Sequence, residues 1–283
     1  MNSRRTLESL DMVQRLLSFT KHLIEGIKGE DEAKDDPYEF EESQTYVAKL
    51  VHSVDCKDAL SQFQAISTLK ESFDKGGIQR MKFTIPSVVM AVYKLLQKSP
   101  QRKHSTTSAE EDKDSTESAG DKSTPSGIME SIAKLPILKI YQFVYQAIDS
   151  IGSAYPETAL RLFLQGVLSM NGIVTAGTDV EELGYQFASQ ALVLYQDELT
   201  DSGAKYRAIT LIMGTLQRAT FFSSDNFETL TTNATQYCAK LLMKQDQCKA
   251  VLGCTHMFFS ELIVPQTRHL YFHRKSLNAL TNI

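Results

Sequence analysis

The chain has 283 residues, 42% hydrophobic and 23% charged, with a formal net charge of −4, which is the composition of an ordinary soluble protein with length for one or two domains or a stretch of solenoid. The acidic balance gives no basis for nucleic-acid binding, which asks for a basic face, and no apolar run approaches the roughly 20 residues of a membrane span. The first residues lead into an acid-containing amphipathic stretch unlike a secretory leader, and Cys56, Cys238, Cys248 and Cys254 form no C-x-x-C pair but sit in or beside apolar helical pattern, which predicts reduced thiols in a cytosolic compartment.

Leu7, Leu10, Val13, Leu16, Leu17, Ile24 and Ile27 form a helix-period stripe that an acidic run near 29–37 interrupts as a solvated loop. Asp36 and Pro37 are suited to the cap and first turn of a second helix carrying Tyr46, Val47, Leu50 and Val51. Asp55 is expected to cap a third, with Leu60, Phe63, Ile66 and Leu69 on its face and Gly76-Gly77 at its end. Thr84 and Pro86 are expected to open a fourth through Val88, Val89, Val92, Tyr93 and Leu96. Residues 99–127 are Ser, Thr, Lys, Asp and Glu with scarcely an apolar side chain, which predicts a disordered insertion.

The stripe resumes with Ile140, Phe143, Val144, Ala147, Ile148 and Ile151, Pro136 dividing or kinking its approach. Pro156 opens the clearest helix, where Leu160, Phe163, Leu164, Val167 and Leu168 make one apolar face. Thr178 and Glu181 have capping-box spacing ahead of Leu183, Phe187, Ala191, Leu194 and Tyr195. Asp201 or Ser202, Ser223 or Ser224, and Asp246 are expected to start three more helices, carrying Ile209 to Leu216, Leu230 to Leu241, and Val251 to Phe258. Repeated amphipathic helices with short connections and no strand signal predict an all-α fold, an α-solenoid of antiparallel helix pairs of HEAT-like type. The expected organisation is helical repeats over 1–98, the insertion over 99–127, further repeats over 128–259, and a divergent tail over 260–283; exposed apolar surface is expected at one or both ends of the array.

Reactive motifs are scarce. His269 and His273 share a helical face, but Leu270 stands where a zinc protease needs glutamate, so surface or packing roles are expected. Cys248, Cys254 and His256 lack the paired spacing of a zinc site and read as core and near-core residues of one helix. Asn233-Ala234-Thr235 is an accidental glycosylation triplet inside a predicted helix, and Asp197, Glu198 and Asp201 read as solvated caps. Neither Gly76-Gly77 nor the glycines at 172 and 177 belong to a phosphate loop, and no nucleophile elbow or kinase signature occurs. No enzyme, cofactor or metal is expected.

Four stretches carry a resemblance: residues 76–86 (GGIQRMKFTIP), 160–166 (LRLFLQG), 194–202 (LYQDELTDS) running on to 208–215 (AITLIMGT), and 239–247 (AKLLMKQDQ). In this order and spacing, over roughly 40–259, the chain resembles the large, vacuolar protein sorting-associated subunit of retromer. The resemblance implies the C-terminal half of that family's longer solenoid, and a non-enzymatic scaffold of endosomal cargo retrieval and retrograde protein transport. Its partner would be retromer's small subunit of metallophosphoesterase-like fold, with cargo or accessory proteins as further ones. It would sit in the cytoplasm, peripheral on endosomal membranes and reaching them only through partners. The family's PRLYLR-type motif for the arrestin-like subunit has no counterpart, and the resemblance is expected to fail after Phe259. The alternative is a helical-repeat adaptor of another trafficking complex. For partner binding, Gly76, Gly77, Gln79, Arg80, Phe83 and Pro86 lie at a predicted inter-helix turn, where solenoids often present binding groups; Arg161 and Gln165 lie one helical turn apart, off the main stripe.

Overall fold

A computed structural model describes residues 6–25, 36–97, 137–171, 173 and 178–259, leaving aside the side chains of 178, 256, 258 and 259. These residues form α1 (Leu10–Glu25), α2 (Pro37–Val51), α3 (Ala59–Asp74), α4 (Ile78–Gln97), α5 (Ile137–Asp149), α6 (Pro156–Met170), α7 (Thr178–Asp197), α8 (Ser202–Arg218), α9 (Ser224–Ala239) and α10 (Lys244–Phe259). Among them there is no sheet, only an isolated bridge between Leu7 and Val54.

Helices two apart in the chain lie side by side, and consecutive helices from α3 onward close into pairs. The result is two rows: α2, α4, α6, α8 and α10 in one, the odd-numbered helices in the other. Between α3 and α5 the odd row is joined by Phe63 and Phe143, whose rings meet edge-on at 5.3 Å. This is the solenoid arrangement that the periodicity predicts, since each amphipathic pair buries its stripe only against its neighbours.

The core is densest where α4, α5, α6 and α7 meet. Tyr145, Phe163 and Phe187 have centroids 5.2–5.5 Å apart, and Tyr141 meets Phe187 edge-on at 6.1 Å. Edge-on packing sets the positive rim of one ring against the negative face of the next. The hydroxyls here are satisfied: Tyr93 donates to the Leu162 carbonyl at 3.1 Å, and the Tyr141 and Ser169 hydroxyls are 2.9 Å apart. Leu160, Phe163, Leu164 and Val167 of the central stripe are all buried, with Leu168 partly so.

Several local expectations are corrected. Leu7 precedes α1 and is extended, its carbonyl taking the Asp55 amide at 3.1 Å. Asp55 therefore does not cap α3; Asp58 does, accepting from the Ser61 amide at 3.0 Å. Residue α4 begins with is Ile78, so Thr84 and Pro86 lie inside the helix instead of opening it. Helix α10 starts at Lys244, two residues before Asp246. Glu181 accepts from the Ser223 amide and the Asn226 side chain, each at 2.7 Å, so it serves the start of α9 as well as standing in the first turn of α7. Tyr46, Leu60 and Leu252 are exposed, outside the buried stripes. Caps at Asp36, Asp201 and Ser223 stand where expected. Residues 99–127 and 260–283 lie outside the described residues.

Candidate functional site

Three even-row helices, α4, α6 and α8, run the same way, so their N-terminal ends share one edge of the array. On this edge Tyr155, the residue before Pro156, donates its hydroxyl to Gln79 Oε1 at 3.1 Å, while Lys82 stands over the rings of Phe83 and Tyr155 at 5.2 and 5.9 Å. In the first turn of α6, Glu157 pairs with Arg161 at 2.7 Å and with Arg207 of α8 at 3.4 Å. The hydrogen bond from Arg207, with the charges of both arginines, holds the Glu157 carboxyl below the usual carboxylate range.

Beyond this ion triad a groove of about 610 Å³ opens between α6 and α8. Leu164, Leu168, Tyr206 and Leu211 line its floor and walls; Arg161, Arg207 and Gln165 stand around it. Leu211 is 43% exposed, an apolar side chain left to water on a helix whose other face is buried. A second groove, about 410 Å³, lies where α7 ends, α8 begins and α9 ends. Here the Tyr195 and Tyr237 rings pack at 5.1 Å, Lys205 stands 5.7 Å over Tyr195, and Tyr237 donates to Gln196. Burial pushes the Tyr195 phenol up to about 12, helped by Cys238 and Tyr237, so it stays neutral. Lys205 borders the second groove and Tyr206 the first, so the two meet along α8.

The expected contact residues divide into two groups. Gln79, Arg161 and Gln165 are on this surface, Tyr155 linking the first of them to α6. The others are engaged in folding. Gly77 has φ +80°, a left-handed conformation that suits glycine, and a Cβ on Gly76 would meet the Ile24 carbonyl oxygen at 2.3 Å. Arg80 is only 2% exposed; it donates to the Leu23 carbonyl and lies 5.3 Å from the Phe40 ring. Phe83 meets Phe40 edge-on at 6.4 Å, and Pro86 is within α4.

Sequence reasoning missed Tyr155, Glu157, Tyr206 and Arg207, because their association depends on helices some 50 residues apart; Leu211 was also missed, although it lies in the 208–215 stretch that carries the resemblance. Tyr195, Lys205, Tyr237 and Lys240 had a signal: three of them lie in or next to the stretches that carry the resemblance. The surface is apolar ground flanked by cations, suited to noncovalent docking of a broad, partly apolar and acidic face. Among the described residues no three His, Cys, Asp or Glu side chains converge on a metal position. Cys254 is buried while Cys248 is exposed, which corrects the expectation that both are core or near-core; His269 and His273 lie outside the described residues. No helix among the described residues is long and apolar enough to cross a membrane.

Comparison with known proteins places this geometry in a family. The model of the family described as vacuolar protein sorting-associated protein 35 matches residues 1–282. The match thus runs past Phe259, where the resemblance was expected to fail. Vacuolar protein sorting-associated protein 35A of Arabidopsis thaliana is 34% identical over 92% of this chain and 30% of its own length. The 35B protein of the same plant is 32% identical over 92% of this chain and 29% of its own, and the Schizosaccharomyces pombe protein is 26% identical over 90% and 26%. The chain spans about 30% of the length of the curated relatives it matches.

Proposed function

The chain belongs to the vacuolar protein sorting-associated protein 35 family, and from that premise we propose that it is a scaffold segment of retromer in endosomal cargo retrieval. It binds the metallophosphoesterase-like subunit through the cation-flanked surface of α6 and α8, with Gln79 and Tyr155 at one margin. It works without catalysis and reaches endosomal membranes through its partners.

The observation that carries this reading is the groove between α6 and α8. It combines exposed Leu211 and half-buried Tyr206 with arginines already paired to Glu157, which reduces the side-chain freedom lost on docking. A repeat array offers a broad, rigid surface, which suits a globular partner better than a small molecule.

The test is co-purification of this chain with the isolated metallophosphoesterase-like subunit from the same organism. Stable co-elution, lost on Leu211→Asp with the helical signal intact, is the expected result. A folded wild-type chain that does not co-elute would overturn the proposal and favour an adaptor of another trafficking complex.

A further inference from the structure

Three sulfur atoms meet where α8, α9 and α10 pack together. Cys238 Sγ and Cys254 Sγ are 3.3 Å apart, and Met213 Sδ lies 3.5 Å from the first and 3.1 Å from the second. Both thiols are free and fully buried. Cys248, by contrast, is on the exposed side of α10. A structural role in packing asks only that a cysteine fill space as a small hydrophobe. It does not ask that two thiols on successive helices face each other in close sulfur–sulfur contact.

We propose that Cys238 and Cys254 form a dithiol modification site, which a low-molecular-weight disulfide such as glutathione disulfide converts into an intramolecular disulfide that staples α9 to α10. The first step is loss of a proton to water from one thiol and attack of that thiolate on a sulfur of the oxidant. One glutathione leaves as thiolate and takes up a proton. The second protein thiol then loses its proton and attacks the protein sulfur of the mixed disulfide, releasing the second glutathione. One S–S bond forms in the protein, one breaks in the oxidant, and two electrons pass from the protein sulfurs to glutathione.

The Cys254 thiol donates to Cys238 at 3.3 Å; hydrogen bonding within the pair lowers Cys254, whereas the same bond and burial push Cys238 up. Burial makes the reaction slow and gated by local opening of α10 from α9, in contrast to rapid capping at Cys248. The bond would close a short loop around the α9–α10 turn and fix the helix whose Tyr237 and Lys240 line the second groove. The inference is independent of any partner.

The experiment uses the full chain with Cys248→Ser, incubated under native conditions with glutathione disulfide, then alkylated, digested and analysed by mass spectrometry. The expected result is a cross-linked peptide pair joining Cys238 to Cys254, short by two hydrogen atoms. With it should come a rise in Tm of roughly 5–10 °C, reversed by reductant. Cys254→Ala, made in the same background, should abolish both. If that variant does not fold, the cross-link map of the parent decides alone. Two thiols that remain alkylatable after unfolding, or that carry only separate glutathione adducts, would overturn the proposal.

Discussion

Arg80 shows how a single side chain can look like a binding group and be used for folding. Its guanidinium reaches the Leu23 carbonyl at the end of α1 and covers the Phe40 ring of α2, so it ties three helices together. Gln44 donates to the same carbonyl at 3.1 Å. Replacing Arg80 by Met removes a charged hydrogen bond and a cation–π contact, and is expected to cost about 2–3 kcal/mol in urea unfolding; a loss under about 0.5 kcal/mol would mean that Gln44 suffices. Gly166 is a packing requirement, since an added Cβ would meet Phe187 ring carbons at 2.5–2.6 Å and the Tyr93 hydroxyl at 2.6 Å. Gly166→Ala should therefore destabilise by about 1–3 kcal/mol. Glu157 has its pKa depressed in the folded state, so the stability it contributes is present at neutral pH and fades as pH falls through the folded-state value, below the usual carboxylate range. The stability gap between wild type and Glu157→Gln should close in acid; a gap independent of pH would show that charge pairing is not its source.

At the scale of elements, apolar periodicity located each helix seen in the structure, because each must bury one stripe whatever its neighbours are. Boundaries were less legible. Asp55 reads as the cap of α3, whereas its amide is bonded to the Leu7 carbonyl in the segment before the helix, and the carboxylate that reaches the first-turn amide is that of Asp58. Pro86 reads as a helix opener but stands nine residues into α4, where it deprives the Lys82 carbonyl of its donor. Pro86→Ala is expected to stabilise α4 by about 1–2 kcal/mol and to slow amide exchange around Lys82; destabilisation would show that ring packing outweighs the missing bond. Gln79 was legible as a residue near an inter-helix turn, and Arg161 and Gln165 as a polar pair off the apolar stripe of one helix. Their neighbours Tyr155, Arg207 and Leu211 were not, because no local pattern tells which helix turns toward which.

Across the whole molecule, two rows of helices leave a continuous surface along α4, α6 and α8, with grooves at two places and cations around both. Leu242, Met243 and Leu252 are exposed at the last described turn and helix. The family model matches nearly the entire chain, which spans about 30% of the length of the plant relatives, and this surface lies within the matched residues. Its use for docking is tested most directly by isothermal titration calorimetry of the chain against the purified metallophosphoesterase-like subunit, run with wild type, Arg161→Glu and Leu211→Asp. The expected result is saturable binding by the wild type, weakened at least about tenfold by either substitution, roughly 1.4 kcal/mol or more, with the helical signal intact. Equal affinities for all three, or no heat from a folded wild-type chain, would contradict it.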